Sequence, residues 1–232
     1  MSDRRRARAL ARAALDRGDP TGWFEALYVE AARGDAVVPW DDHAANPHVL
    51  AWLDRDLDPA LNPDPNPALD PNHRLRALDV GCGFGDTAEA LAARGLQVDA
   101  FDVSAAAIDG ARARHPASRV RYRVADLLDL PPDYVGAFDL VVECYTLQVL
   151  PPALRPAAAA SLRRALAPGG RLLVVARGRD LADPPGEMPW PLTRGEVIAV
   201  GEGLELLTLD DLFDDEDPPV RRLRAVFRRP RP

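Results

Sequence analysis

From Arg74 onward the chain alternates short apolar runs with helix-length segments, and this alternation is what most restricts its fold. Strand-period runs read at 76–80, 97–103, 120–124, 138–143 and 171–176. Helices read at 86–94 (stopped by Gly95), 105–115 (capped by Ser104, stopped by Pro116) and 152–166 (ended by Gly169-Gly170). Such a series places a parallel sheet between two helical layers, a doubly wound α/β fold. The tail departs from the rule. Thr193 and Glu196 form a capping box for a short helix, and two further strand-like runs follow at 204–209 and 223–227. The acidic segment 210–219 between them has no room for a crossover helix, so these strands are expected to pair antiparallel.

Ahead of this body, residues 1–53 read as helices. Residues 4–16 are rich in Ala and Arg and are stopped by Gly18 and Pro20. Residues 21–32 carry Trp23, Phe24, Leu27, Tyr28 and Ala31 at helical spacing, and Asn46-Pro47 opens a third helix with a cap and an N1 proline. Residues 54–73 hold Pro59, Pro63, Pro65, Pro67 and Pro71 among Asp and Asn, a composition that predicts an irregular connector. The expected division is a helical lid over 1–53, a connector over 54–73 and the α/β body over 74–232.

A formal charge of −7 provides no electrostatic footprint for nucleic acid or an anionic membrane. The arginine runs at 4–8 and 221–224 read as a solvated helix face and an exposed edge strand. Cys82 and Cys144 are too few for a disulfide framework, and no apolar run approaches the ~18 residues of a membrane span. No signal-peptide core follows the N-terminal arginines. The chain is expected to be cytoplasmic, a monomer or homodimer with a small-molecule partner, no nucleic acid and no membrane. The carboxylates of 210–217 read as a solvated loop, so no metal is expected.

The glycine loop at the first strand-to-helix turn runs Leu78-Asp79-Val80-Gly81-Cys82-Gly83-Phe84-Gly85-Asp86. Alternate glycines let backbone turn tightly and approach a ligand at the carboxyl edge of a parallel sheet. The spacing is G-x-G-x-G, not the G-x-G-x-x-G of dinucleotide folds, and Asp86 puts a carboxylate where a pyrophosphate would sit. Both features argue against a nicotinamide oxidoreductase. Asp79 favours a positively charged ligand instead. About twenty residues on, Asp102 ends the second strand, placed to accept from ribose hydroxyls, with Asp99 as an alternative acid. Ala125-Asp126-Leu127 follows the third strand and offers a carboxylate and a backbone N–H to an adenine edge.

This combination resembles the class I methyltransferases that use S-adenosylmethionine (SAM). The resemblance covers residues 74–232: the D-x-G-x-G-x-G loop, the stretch Asp102, Ser104, Ala107, Ile108, the Asp126 turn, Phe138-Asp139-Leu140-Val141-Val142 and Leu166-Ala167-Pro168-Gly169-Gly170. It implies a Rossmann-like seven-stranded sheet with an antiparallel last strand, and SAM as cofactor. It further implies that Asp79, Gly81, Cys82, Gly83 and Gly85 hold the methionine part, Asp102 and Val103 the ribose, and Asp126 and Leu127 the adenine. Glu143 and Trp40 complete the cofactor candidates.

The acceptor is less legible. The N/D-P-P-Y/F turn of many base and glutamine methyltransferases is absent from Glu143-Cys144-Tyr145-Thr146-Leu147-Gln148. Trp23, Tyr28 and Val38-Pro39-Trp40-Asp41 resemble the opening of the thiopurine and thiol/halide methyltransferase group. In that group such a segment covers the cofactor and shapes the acceptor pocket. That implies a soft acceptor (a thiol, thiopurine, halide or metalloid), with Asp41, Tyr28, Tyr145 and Trp190 as acceptor-side candidates. An oxygen or nitrogen methyltransferase of secondary metabolism, and a SAM-binding regulator without turnover, stay open. No catalytic base stands out; Glu143, His43 and Tyr145 are the available groups.

Overall fold

The computed structural model describes residues 3–61, 75–214 and 216–231. Seven strands form one sheet in the order β3-β2-β1-β4-β5-β7-β6. They are β1 (Arg76–Val80), β2 (Gln97–Asp102), β3 (Arg121–Val124), β4 (Phe138–Cys144), β5 (Leu166–Arg177), β6 (Glu205–Phe213) and β7 (Arg221–Arg228). β1 to β5 run parallel, and β7 inserts antiparallel between β5 and β6. This is the doubly wound sheet with an antiparallel last strand that the alternation implied.

Period-two burial decides which helix covers which face. Leu78, Val80, Val141 and Val174 face α6 (Arg155–Ala165) and α7 (Arg194–Val200). Ala77, Val142, Leu173 and Val175 join a second core with α4 (Asp86–Ala93), α5 (Ala105–Arg114) and α3 (Pro47–Leu61). Both sheet faces are dry, and for that reason the inner strands read as continuous apolar runs. The caps behave as their residue types require. Asn46 Oδ1 accepts from the backbone N–H groups of His48 and Val49, Ser104 Oγ accepts from Ala107, and Thr193 and Glu196 close the capping box of α7.

Three features differ from the sequence expectation. α3 continues through the expected junction at Asp54 to Leu61, because Val49, Trp52 and Leu53 are buried against the sheet and anchor the helix there. The rest of the expected connector, 62–73, lies outside the described residues. Gly169-Gly170 does not merely stop a helix: the pair sits within the irregular start of β5 and bonds to the backbone of Arg229.

The third difference is the largest. β7 is not an exposed edge strand but an inner one, with Arg222 and Arg224 buried. The acidic segment is a solvated loop only in its second part, where 216–219 are exposed. Its first part is the end of β6, the true edge, and its carboxylates face the arginines across the ladder. Arg224 clasps Asp210 at 2.6 and 3.0 Å and also donates to the His48 carbonyl oxygen at 2.9 Å, linking β7 to the start of α3. Arg222 pairs with Asp214 and Glu216, and Arg221 with Asp211. A buried guanidinium stripped of its carboxylate is costly, because the charge stays desolvated. Asp210→Ala should therefore lower unfolding stability by about 1–3 kcal/mol, below the about 3–5 kcal/mol of fully buried pairs because Asp210 is partly exposed. Urea unfolding of the variant against Arg224→Met/Asp210→Ala measures this; the double variant should recover part of the loss.

Candidate active site

A cavity of about 520 Å³ opens at the carboxyl ends of β1 to β4. It lies where the strand order reverses between β1 and β4, the place at which parallel sheets leave a crevice. Its floor is formed by 79–84, 101–103, 125–128 and 144–146, and its roof by Phe24, Tyr28, Pro39, Trp40 and Asp41.

The glycine loop is shaped for close approach. Gly83 has φ +53, and a Cβ there would lie 2.9 Å from Tyr28 Oη, so the phenol of α2 (Gly22–Ala32) rests on bare backbone. Gly85 has φ +89 and caps α4; a side chain there would meet Tyr122. Gly85 does not itself line the cavity, so its role is to turn the chain into α4 rather than to contact a cofactor.

Two buried carboxylates face this loop. Asp102 accepts from the Gly83 N–H at 3.0 Å and from the Ser104 N–H at 2.9 Å. Burial raises its pKa to about 6, partly opposed by these backbone bonds. Asp79 is buried more severely. One of its oxygens, Oδ2, has no partner, and desolvation, with a smaller contribution from the charge of Asp102, pushes the carboxyl up to about 8. An orphaned carboxylate oxygen beside bare glycine backbone suits a cation and rejects a phosphate.

The roof is braced as well as packed. Trp40 Nε1 donates to Tyr28 Oη at 2.9 Å, and the Trp40 ring meets Trp23, Phe24 and Tyr28 edge-on. Glu25 accepts from Ser104 Oγ at 2.6 Å and from the Ala106 N–H at 3.1 Å, fastening α2 to the start of α5. Arg114 pairs with Asp41 at 2.8 Å and with Asp86 at 2.7 Å. The carboxylate of Asp86 is thereby neutralised by a neighbour on α5 and holds the roof down through Asp41.

The structure brings Asp79, Gly81, Cys82, Gly83, Asp102, Val103, Asp126, Leu127, Trp40, Asp41, Tyr28 and Tyr145 to one cavity. Three of the expected cofactor and acceptor residues fall outside it, as do His43 and Asp99, the latter bonded to Arg76 and Arg121. Gly85 is the helix cap described above. Glu143 is fully buried beneath the floor, where Oε1 accepts from the Thr146 and Leu147 N–H groups at 2.7 and 2.8 Å. It shapes the turn that carries Tyr145 (φ +66) and does not line the cavity. Trp190 packs against the cluster of α1 (Asp3–Asp16) and α2, while its neighbours Met188 and Pro189 reach the cavity instead. Thr146, Gln148 and Arg177, not among the expected site residues, also line it. Arg177 carried a usable signal: a charge at the carboxyl end of an apolar parallel strand.

Residues 77–170 match the model of a family described as "Methyltransferase domain". Over this segment the chain is similar to that family. The segment spans β1 to the start of β5 and contains the glycine loop and both buried carboxylates. Among curated proteins the chain is similar to the ubiquinone biosynthesis O-methyltransferase of Xanthomonas axonopodis pv. citri, 36% identical over 135 residues, covering 57% of this chain and 50% of that protein. The protein of the same description from Xylella fastidiosa is 35% identical over 143 residues, 60% and 52% of the two chains. The aligned part spans about half the length of these curated relatives. Among solved structures, one concerned with conversion of a disulfide bond into a thioacetal group during echinomycin biosynthesis matches with TM-score 0.70 and 23% identity, covering 90% and 91%. The 1,6-didemethyltoxoflavin-N1-methyltransferase of Burkholderia thailandensis, with bound S-adenosylhomocysteine, matches with TM-score 0.66 and 19% identity, covering 94% and 89%. These two share the fold of this chain.

Glu143 supplies a pH test of the cavity floor. Burial raises its pKa to about 7, against partial compensation by the two backbone donors. The folded state then holds a proton that the unfolded chain releases above its ordinary carboxylate pKa, so stability falls as pH climbs from about 4.5 to 7. Glu143→Gln lacks this loss. The variant should gain about 1–3 kcal/mol relative to the parent between pH 5 and pH 8, read from urea unfolding of both proteins at each pH.

Proposed function

We propose that the chain is a SAM-dependent methyltransferase acting on a small molecule, with an oxygen nucleophile as the favoured acceptor. The unpartnered, buried carboxylate of Asp79 beside the glycine loop carries the cofactor half of this reading. When bound, SAM supplies an electrophilic methyl group on a positively charged sulfur, together with an ammonium group. Asp79 would hold the cationic methionine end, the 81–83 backbone would lie against it, and Asp102 keeps lone pairs for ribose hydroxyls after binding its two N–H donors. Asp126 and Leu127, at the end of β3, would flank the adenine. The aromatic roof excludes water, and alignment in a dry cavity supplies much of what such a displacement needs.

The oxygen acceptor is drawn from the curated relatives, which are described as O-methyltransferases. A second reading, the thiopurine and thiol/halide group with a soft acceptor, is supported by the placement of Trp40 and Asp41 over the cavity. Asp79 and Asp102 are the cavity-lining carboxyls pushed toward neutrality, and both serve the cofactor side. An oxygen acceptor would therefore be one acidic enough to ionise without strong help. α1 and α2 are proposed to act as a lid that closes on the loaded site.

Two measurements test this. Below pH 8 the Asp79 carboxyl is protonated, so a cation binding there must expel the proton. Calorimetry at pH 7 in phosphate and in Tris should reveal proton release on SAM binding, with affinity rising to about pH 8 and then levelling. Asp79→Asn should abolish the release and weaken SAM by about 1.5–3 kcal/mol. Binding of a nicotinamide dinucleotide without SAM would overturn the assignment.

For the acceptor, release of S-adenosylhomocysteine is followed with a phenol, a thiol and iodide. Phenol turnover at least tenfold above the other two supports the oxygen reading. Preference for thiol and iodide, with a pH-independent iodide rate, supports the soft-acceptor reading. A protein that binds SAM yet methylates none of the three, nor an amine, is a SAM-binding regulator.

A further inference from the structure

The cavity extends past the glycine loop to the tip of β5, where four arginines line it: Arg4 and Arg8 from α1, Arg177 at the end of β5 and Arg222 from β7. Two of the four have their charge answered. Arg8 pairs with Glu187 at 3.0 Å and donates to the Met188 carbonyl oxygen, and Arg222 is held by Asp214 at 2.6 Å and by Glu216. Arg177 and Arg4 differ. Among the described residues no carboxylate pairs with either guanidinium and no hydrogen bond engages it.

The placement of Arg177 makes this lack costly. In the β5–β7 ladder Arg177 stands directly opposite Arg222, and like charges directly across an antiparallel pair destabilise it. The backbone permits no easy escape, because the Arg177 N–H is bonded to Gln148 Oε1 at 2.7 Å and its carbonyl oxygen accepts from Leu192. Partial burial, together with the charges of Arg4 and Arg222, lowers the pKa of Arg177, while Glu216 opposes them. A cation held against two others, in a cavity, is a receptor for an anion.

We propose that Arg177, assisted by Arg4, forms an anion subsite of the acceptor cavity that receives a carboxylate carried by the methyl acceptor. This rests on the methyltransferase reading for the cofactor end and adds the acceptor's class: a carboxylic acid with an aromatic or apolar body, seated among Phe24, Trp40 and Tyr145. A single negative charge is favoured over a phosphate. Arg222 is already committed to two carboxylates, and Glu216 lines the same end, so the unanswered charge is that of one partly buried guanidinium and one exposed helper. A planar guanidinium also matches a carboxylate bidentately.

The test compares benzoate with benzamide, equal in shape and different in charge, on the full chain saturated with S-adenosylhomocysteine. Ligand-detected nuclear magnetic resonance titration should give benzoate at least tenfold tighter binding. Arg177→Gln should bring the two within about twofold by weakening benzoate alone, and Arg177→Lys should retain part of the preference. Arg4→Ala, at an exposed helix position with no fold to disturb, should reduce it two- to fivefold. Inorganic phosphate should compete with benzoate only weakly. Equal binding of the two probes, a preference that survives Arg177→Gln in a protein with unchanged circular dichroism, or phosphate binding tighter than benzoate would each overturn the proposal. A wild-type protein that does not bind S-adenosylhomocysteine counts instead against the methyltransferase reading, and the benzoate preference is then read on the protein alone.

Discussion

Asp102 ends β2 with both oxygens engaged, one by the Gly83 N–H and one by the Ser104 N–H, and much of the site hangs from these two bonds. The first holds the glycine loop at its working curvature. The second fixes the residue that caps α5, whose hydroxyl in turn donates to Glu25 of the roof. Floor, flanking helix and roof are thereby tied to one buried carboxylate. Such a group is stable only while its donors stay in place, since an unsatisfied buried carboxylate costs several kcal/mol. The network that holds Asp102, the proposed ribose acceptor, therefore also stiffens the glycine loop.

Charge is used differently at the two ends of the cavity. At the carboxyl ends of β1 and β2, burial leaves Asp79 with an unpartnered oxygen and a raised pKa, a surplus of acceptor character in a dry place. At the tip of β5 the surplus is cationic, with Arg177 set against Arg222 across the ladder. Between them the roof and the floor contribute aromatic surface. A molecule with a cationic and an anionic partner side by side fits this polarity better than one of uniform charge. The ion pairs of β6 and β7 are the structural counterpart: the arginines that lack this role are matched to carboxylates one strand away.

Much of the body was legible because its signals are local. Ser104, Asn46 and the Thr193–Glu196 box cap their helices as their side chains demand, and β1 to β4 appear where apolar runs sit between them. The acidic tail was misread because composition reports charge and not partners. Asp210 and Asp211 looked solvated in isolation, and only the pairing of β6 with β7 brings Arg224 and Arg221 to them. Glu143 was misplaced for a related reason. The end of a strand points to the site, but alternation turned this side chain under the floor, where two backbone donors hold it.

The sequence by itself determined the βα alternation, the bare-backbone loop and the acid at the end of β2, because these depend on residue type and on spacing within a few turns. It also marked the aromatic residues of the roof. Tertiary structure alone decided that α3 belongs to the sheet, that Asp86 and Asp41 share one arginine, and that Arg177 stands unanswered opposite Arg222. Each of those facts joins residues tens of positions apart, and which charges meet, and which are left over, depends on register and packing that no local pattern encodes.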